Sequence, residues 1–576
     1  MLQRSTFAAA LAALLCSCAS NPQTTAAIGA SAEPYDLLID NGTIYDGSGG
    51  APFVGDVAIK GDRIVYVGPQ APAPSNRTVD ASGLAVSPGF INMLSWATET
   101  LIEDGRGMSD TVQGVTLEVF GEGASMGPWN EEMKALDRKR QQDIKYDIPW
   151  TTLGQYLEHL EKRGVTPNVA SFVGATTVRI HELGEGDVDP TPEQLQRMRA
   201  LVRQSMQEGA VGVGSSLIYA PANFAETPEL IAITEEAAKC GGMYISHMRD
   251  EGPKLIEAID ELVTISRESG APAEIYHFKQ SGRSNWGKID AAIARVEAAR
   301  ASGLRITADM YTYPASSTGF DAAFPLWVQA GGLEKWVERL KDAKERSKAL
   351  AWMRGPDATE NTKLVVEEPD KVILVGFKTD ALKPLTGKTL GEVARQRGKS
   401  PEETAADLIV EDGTRIQVVY FGMSEDNVRR AVGLPWMSFG SDAASMAPEG
   451  VFLKSSTHPR AYGNFARVLG KYVRDEKAAA LPDAIRRLTS LPAGNLGLKD
   501  RGSLRAAYAA DIVIFDPARV ADRATFAKPQ QLSTGVRDVF VNGVHVLRDG
   551  QHTGAKPGRV VRGPGWTGWP GGGACK

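Results

Sequence analysis

The chain has 576 residues, of which 42% are hydrophobic and 23% charged, and its formal net charge is −6 at pH 7. This length exceeds one ordinary domain but suits a barrel with insertions beside a smaller second domain. The acidic balance and the lack of a basic tract exclude nucleic-acid binding, and the composition is that of a folded globular protein.

The N-terminus is predicted to be an export signal rather than part of the fold. An apolar stretch over residues 7–15 is too short to span a bilayer comfortably, and it ends at Leu15-Cys16-Ser17-Cys18, which resembles the lipobox of bacterial lipoproteins. The resemblance implies a signal peptide over 1–17 and acylation of Cys18, and the Ala-, Ser-, Thr- and Pro-rich composition that follows predicts a tether over 18–34. Since Ala19 rather than aspartate follows Cys18, the resemblance favours the outer membrane, facing the periplasm, with lipid as the only membrane contact. Cleavage a few residues later, as in an ordinary signal peptide, is the alternative.

Both ends of the remaining chain are rich in short strands. Residues 57–60 and 63–67 flank Gly61-Asp62, and residues 539–541 and 544–547 flank Asn542-Gly543, which are hairpin signatures. We predict that residues 35–88 and 496–562 pair into one small β-sandwich. The glycine-rich residues 563–576 are predicted to form a flexible tail. A structural disulfide between Cys240 and Cys575 is not expected, because a chain of this size does not need one.

The middle of the chain, residues 89–495, alternates strands with amphipathic helices. This repeat predicts an α/β fold, a distorted (β/α)8 TIM barrel beside the sandwich built from both chain ends. The spacing breaks at about 314–435, an insertion that could act as a lid and that holds two more strand-like runs, 371–375 and 416–421; one of these could be a barrel strand. The predicted barrel strands begin near Phe90, Val115, Asn168, Ala210, Gly242, Ala273, Arg305 and Trp436.

Three chemically competent side chains end separate strand-like runs. They are His247, His277 and Asp442, and the chain has only seven histidines. Because strand ends converge on one mouth of a β/α barrel, this pattern favours a metal hydrolase. Two plainer interpretations remain open: each histidine could be a satisfied core residue, and Asp442, preceded by Ser441, could cap a helix.

The order of segments resembles the amidohydrolase superfamily, and within it the N-acyl-D-amino-acid deacylases, or D-aminoacylases. The resemblance covers about residues 35–562. It implies a zinc hydrolase that cuts linear amides, with His247 and His277 as metal ligands and Asp442 as the residue that moves protons. The motifs that carry it are at 210–221, 246–252, 276–279, 285–287, 309–313, 440–442, 458–463, 497–502 and 552–558.

Two departures from the family pattern affect the metal site. The first barrel strand lacks His-x-His and has Leu94-Ser95-Trp96 instead, so the more exposed metal site of the superfamily should be missing. The second strand lacks the family cysteine, and Gly123, Ser125 and Pro128 place Glu122 at its position. Two histidines and a carboxylate form a known catalytic zinc arrangement, so we expect one Zn²⁺ per chain. Glu118 is the reserve ligand, and a solvent-facing Glu122 without a metal role is the alternative.

The resemblance also implies residues that bind the substrate's α-carboxylate: Lys279, Tyr311, Ser317 and Arg460. Lys279 lies two residues beyond His277, so in a strand its side chain would face the same way. The predicted substrate is a small N-acyl-D-amino acid or a dipeptide with a D-residue. The alternatives are a hydrolase or peptidase for another small amide, and a binding lipoprotein that has lost catalysis with its His-x-His. Lys279 and Arg460 could also be surface charges.

Overall fold

A computed structural model describes residues 33–575, so the predicted signal peptide and Cys18 lie outside the described residues. Among the described residues, none of the helices has the length and apolar character needed to cross a bilayer. The strands are β1 (Leu37–Ile44), β2 (Phe53–Lys60), β3 (Arg63–Gly68), β4 (Thr78–Asp80), β5 (Ala85–Pro88), β6 (Phe90–Asn92), β7 (Val115–Phe120), β8 (Asn168–Ser171), β9 (Val173–Gly174), β10 (Gly212–Ser216), β11 (Met243–His247), β12 (Ala273–Ile275), β13 (Ile306–Met310), β14 (Ser316–Gly319), β15 (Val372–Leu374), β16 (Gln417–Tyr420), β17 (Met437–Phe439), β18 (Ile512–Phe515), β19 (Val536–Val541), β20 (Val544–Arg548) and β21 (Gln551–His552).

The helices lie mainly between the strands of the middle region. Several begin at a side-chain cap, as Thr191 does for the 16-residue α6, where the capping hydroxyl accepts from the Gln194 backbone N–H. The α-helices are α1 (Thr98–Glu103), α2 (Met108–Thr111), α3 (Glu131–Arg140), α4 (Leu153–Arg163), α5 (Ala175–Leu183), α6 (Pro192–Gln207), α7 (Thr227–Lys239), α8 (Leu255–Ser269), α9 (Ile289–Ala301), α10 (Leu326–Gln329), α11 (Leu333–Lys341), α12 (Ala343–Met353), α13 (Glu360–Glu367), α14 (Leu390–Arg397), α15 (Pro401–Asp412), α16 (Glu425–Val432), α17 (Arg460–Arg467), α18 (Leu481–Leu488) and α19 (Ser490–Asn495).

The two ends of the chain meet in one nine-stranded sheet. Its order is β21-β20-β19-β18-β5-β1-β2-β3, with β4 paired to β1. The antiparallel pairing of β18 with β5 joins the N-terminal strands to the C-terminal ones. One face of this sheet buries aliphatic side chains from both ends, including Ile39, Val57 and Ile512. At β18 the sheet is buried on both faces, because Ile512 and Ile514 join this core whereas Val513 and Phe515 pack into the larger apolar cluster of the barrel.

The middle region forms a closed parallel barrel. Within the described residues its strands are β6, β7, the consecutive β8 and β9, β10, β11, β12, β13 and β17, eight positions in all. The backbone N–H of Met93 donates to the Phe439 carbonyl at 3.3 Å, and that of Asp442 to the Leu94 carbonyl at 2.9 Å, which closes β17 onto β6. Their starts agree with the predicted ones, and the α/β barrel fold is confirmed.

The insertion has its own small sheet and core. β14 and β15 both pair antiparallel with β16, apart from the barrel. The prediction that run 371–375 or 416–421 could be a barrel strand is therefore wrong. A separate apolar cluster that includes Phe320, Trp336 and Ile409 supports this region, so it folds around its own core beside the barrel mouth.

The C-terminal segment is tied to the barrel, contrary to the predicted flexible tail. A disulfide joins Cys240, which follows α7, to Cys575, so the expectation that no structural disulfide would form is wrong. The Thr567 backbone N–H donates to the Gln207 carbonyl at 3.0 Å, and the Trp569 indole donates to the Gly563 carbonyl at 2.9 Å. These contacts hold in place a segment that its glycine content alone predicted to be flexible.

Candidate metal centre and active site

Three potential metal ligands converge at the C-terminal mouth of the barrel. Glu122 follows β7, His247 ends β11 and His277 follows β12, and all three are buried. Glu122 Oε1 lies 2.9 Å from His247 Nδ1 and 3.0 Å from His277 Nε2, and the two nitrogens are 2.9 Å apart. The structure thus brings together the predicted ligand set.

The backbone at these strand ends is shaped for the site. Gly123 has φ +71°, and a Cβ there would come within 2.6 Å of Ser216, so the turn that presents Glu122 requires glycine. His277 and Asp442 have φ values of 36° and 49°, which is unusual for residues with side chains. The Asp309 carboxylate accepts the His277 backbone N–H at 2.8 Å and so supports that turn.

The donor set fits a zinc ion. Donor atoms about 2.0–2.2 Å from a tetrahedral zinc lie roughly 3.4 Å apart, close to the separations here. The lone pairs of these three donor atoms repel one another at such short distances unless a proton or a cation lies between them. Burial and Lys279 oppose a charge on His277, yet the carboxylates of Glu251 and Glu122 raise the pKa of His277 to about 10. The site therefore attracts positive charge.

Glu251 is a further acidic residue of this centre that sequence reasoning did not single out. Its Oε1 lies 2.5 Å from Lys279 Nζ, 3.1 Å from His277 Nδ1 and 3.8 Å from His247 Nε2. Burial opposes its ionisation, but Lys279 and the histidines hold the pKa of Glu251 below its usual range. A carboxylate on the outer nitrogen of a ligating histidine fixes its ring and its tautomer. The only sequence signal was its place in the segment 246–252.

Asp442 lies beside the ligands and is 12% exposed. Its Oδ2 forms an ion pair with Arg460 Nη1 at 2.8 Å, and its Oδ1 lies 3.2 Å from the Trp96 indole nitrogen. Burial raises the pKa of Asp442, against the opposing effect of Arg460. A raised pKa makes a carboxyl group a weaker acid, which holds a proton more readily than an ordinary aspartate does. Since the residue follows β17 and begins no helix, the helix-cap interpretation has no support.

The four predicted substrate residues line one cavity of about 480 Å³ next to this centre. Arg460 lies over the Tyr311 ring, 4.4 Å from its centroid, and its Nη2 donates to the Ser317 carbonyl at 3.1 Å. The Ser317 hydroxyl donates to the Val418 carbonyl at 2.9 Å. Lys279 and Arg460 are buried, so neither is a surface charge. The insertion contributes to the cavity wall through β14 and residues beyond it.

Glu118, the reserve ligand, does not join this group. Its Oε2 accepts from Asn92 Nδ2 at 2.9 Å, and the same amide lies 3.3 Å from Asp110. Burial raises the pKa of both Glu118 and Asp110. The side chains of Leu117 and Val119 belong to the inner barrel core, so Glu118 faces the outer side of β7. It is therefore wrong as a ligand candidate.

Comparisons with known proteins agree with this geometry. The family model described as "Amidohydrolase family" matches residues 350–547. A D-aminoacylase of Alcaligenes xylosoxydans xylosoxydans is 32% identical, over 92% of this chain and 98% of that relative. A D-aminoacylase structure, from work on one-metal activation and second-metal attenuation of a binuclear centre, is 30% identical with a TM-score of 0.76, covering 92% of this chain and 100% of that one.

A second similar structure is the N-acyl-D-glutamate deacylase of Bordetella bronchiseptica, complexed with zinc and a phosphonate inhibitor that mimics the tetrahedral intermediate. It is 28% identical with a TM-score of 0.76, and the match covers 92% of this chain and 100% of that chain. Both matches cover 92% of this chain, so they include the barrel and the sheet formed by the two chain ends. The chain belongs to the D-aminoacylase group of the amidohydrolase family.

Proposed function

We propose that this protein is a zinc-dependent hydrolase that removes the acyl group from N-acyl-D-amino acids. The observation that carries the proposal is the convergence of Glu122, His247 and His277 beside Asp442, in a cavity that also holds buried cations. The D configuration is supported by the names of the relatives, whereas the site geometry supports hydrolysis of a small amide that bears a carboxylate. Dipeptides with a D-residue remain a second substrate type for the same chemistry.

The residues present would hold one zinc ion through Glu122 Oε1, His247 Nδ1 and His277 Nε2. A zinc ion with three protein ligands polarises an amide carbonyl and lowers the pKa of a bound water toward neutrality. Glu251 holds the outer nitrogen of the His277 ring, 3.1 Å away, so that the inner nitrogen presents its lone pair. We propose a single ion, since Leu94 and Trp96 stand where the superfamily has its other histidines.

Asp442 is proposed to accept the proton of the attacking water and to return it to the leaving amine. Its raised pKa suits the first step, because the conjugate base of a weaker acid accepts a proton more readily. Arg460, 2.8 Å away, keeps enough ionised Asp442 to act as a base. The same arginine has a buried Nε without a hydrogen-bond partner among the described residues, and this donor is available to a substrate carboxylate.

The charges of the cavity favour substrates with an uncharged side chain. Within the described lining, the lysine and arginine side chains are Lys279, Arg415 and Arg460, and each forms an ion pair with a carboxylate. Lys279 pairs with Glu251 at 2.5 Å, Arg415 with Asp321 at 3.1 Å, and Arg460 with Asp442 at 2.8 Å. A divalent ion on Glu122 leaves one net positive charge, enough for one α-carboxylate. A second carboxylate, as in an acidic side chain, would be buried with no unpaired cation left to neutralise it.

The test is a paired measurement on the purified protein. Zinc per chain is determined first, and turnover is then followed as free amine on N-acetyl-D-leucine, N-acetyl-L-leucine, N-acetyl-D-glutamate and a D-containing dipeptide. We expect about one zinc per chain, with N-acetyl-D-leucine the preferred substrate. One zinc without turnover on any of these compounds would refute the substrate class. Protein that binds no zinc and still hydrolyses them would refute the metal mechanism.

We also propose that the protein is exported and held at the outer membrane by lipid on Cys18. The lipobox-like Leu15-Cys16-Ser17-Cys18 supports this, and so does the Cys240–Cys575 disulfide, since disulfides persist in oxidising compartments. Labelling of cells with a fatty acid analogue should modify the wild type but not Cys18→Ser. Wild-type protein that remains unlabelled and soluble after cell fractionation would contradict the anchor.

A further inference from the structure

The indole nitrogen of Trp96 lies between two carboxylates of the site. Trp96 Nε1 donates to Glu122 Oε2 at 2.9 Å and lies 3.2 Å from Asp442 Oδ1. One N–H shared between two acceptors is a three-centre hydrogen bond, and both acceptors carry negative charge. The ring itself lines the cavity and is 40% exposed, so the polar end of the side chain points inward while its apolar face meets the solvent.

We infer that Trp96 is a positioning residue whose indole N–H takes the place of a second cation between Glu122 and Asp442. This inference rests on the proposed single-zinc site. Two carboxylates that face each other across a gap need a positive charge or a shared donor, or they repel. In this chain the donor is a fixed N–H, which satisfies both oxygens and leaves no position for another ion.

The indole fixes the orientation of Glu122. Its Oε1 faces the two histidines, 2.9 and 3.0 Å from their nitrogens, whereas its Oε2 is used by the indole. Glu122 therefore offers one oxygen to a metal and cannot bridge two. Asp442 is held in a similar way, since Oδ1 faces the indole and Oδ2 faces Arg460. With both oxygens engaged, the plane of this carboxylate is set.

Backbone hydrogen bonds hold Trp96 next to Asp442, the residue that its indole orients. The Trp96 N–H donates to the Ala443 carbonyl at 3.0 Å, next to an isolated parallel bridge between Ser95 and Ala443. In the same loop, the Leu94 carbonyl accepts the Asp442 N–H. The loop after β6 and the loop after β17 are thus joined on both sides of the indole, so its position relative to Asp442 is fixed.

The test compares Trp96→Phe, which removes the N–H and keeps an aromatic ring, with Trp569→Phe as the matched control. Trp569 is 42% exposed and donates to the Gly563 carbonyl, far along the chain from the site. Zinc affinity is measured by competition with a chelating dye, zinc stoichiometry by equilibrium dialysis, and KM and kcat on N-acetyl-D-leucine. Circular dichroism and thermal melting report whether each variant folds.

We expect Trp96→Phe to weaken zinc binding by about 10- to 100-fold, the usual effect of losing a partner of a metal ligand, and to lower kcat with KM within about twofold. Trp569→Phe should change none of these. The variant Leu94→His/Trp96→His should bind two zinc ions per chain, and Trp96→His alone serves if the double variant does not fold. Unchanged zinc affinity in Trp96→Phe, or two zinc ions in the wild type, would overturn the inference. The dialysis results need no substrate, so they stand if the proposed activity fails.

Discussion

Replacement of Glu251 by glutamine tests whether the carboxylate missed by sequence reasoning supports the metal site. The change removes a buried negative charge that lies 2.5 Å from Lys279 Nζ and 3.1 Å from His277 Nδ1. Leaving one partner of a buried ion pair uncompensated costs about 3–5 kcal/mol of folding free energy. Loss of a carboxylate behind a ligating histidine weakens metal binding by about 10- to 100-fold, or about 1.4–2.7 kcal/mol.

The assay combines denaturant unfolding of the zinc-free protein with zinc competition titration. Glu338→Gln is the control, because the exposed Glu338 pairs with Lys335 at 2.8 Å on α11 and does not line the cavity; it should change stability little and leave zinc affinity unchanged. The double variant Glu251→Gln/Lys279→Met should regain most of the lost stability, since both members of the pair are removed together. If the double variant is no more stable than Glu251→Gln, the ion-pair reasoning is wrong.

Three further predictions concern the proton carrier, a buried acid and the disulfide. Asp442→Asn should keep its zinc and lose about 10²- to 10⁴-fold in kcat, measured by metal analysis and turnover; near-normal rates would remove Asp442 from the mechanism. Burial raises the pKa of Glu274 from 4.5 to about 7, so the folded state keeps a proton that the unfolded chain loses, and the stability Glu274 contributes should fall as pH rises from 4.5 to 7. The free energy of unfolding of the wild type minus that of Glu274→Gln should therefore fall over that window, and a constant difference in unfolding titrations would contradict it. Cys575→Ser should cost roughly 2–5 kcal/mol of stability, checked by melts with and without reductant, and equal melts would argue against the disulfide.

The barrel could be predicted because each of its strands corresponds to a separate apolar run in the sequence. Runs that begin near Phe90, Val115 or Ala273 each end at a turn and are followed by a helical segment, which leaves little choice of topology. The insertion could not be resolved in the same way. Residues 371–375 and 416–421 have the same strand propensity as barrel strands, and only their antiparallel pairing with β14 shows that they belong to another sheet.

Contacts between distant residues account for most of what was missed. Cys240 and Cys575 are 335 positions apart, and nothing local indicates that the C-terminal segment returns to α7. Glu251 follows His247 by four residues in an irregular loop, where no helical or strand period predicts the direction of a side chain. By contrast, Glu122 could be placed, because Gly123, Ser125 and Pro128 match the spacing that follows the metal-binding cysteine in the D-aminoacylase family.

Lys279 lines the cavity, as predicted, although the strand argument that placed it there is wrong. The prediction assumed that β12 continues through His277 and Lys279, so that residues two apart face the same way. The strand instead ends at Ile275, and His277 adopts a left-handed backbone conformation, which reverses the chain direction expected of a strand. Lys279 reaches the site because its Nζ donates to Glu251 Oε1 at 2.5 Å. The chemistry of a buried cation that needs a carboxylate, rather than strand periodicity, places this side chain.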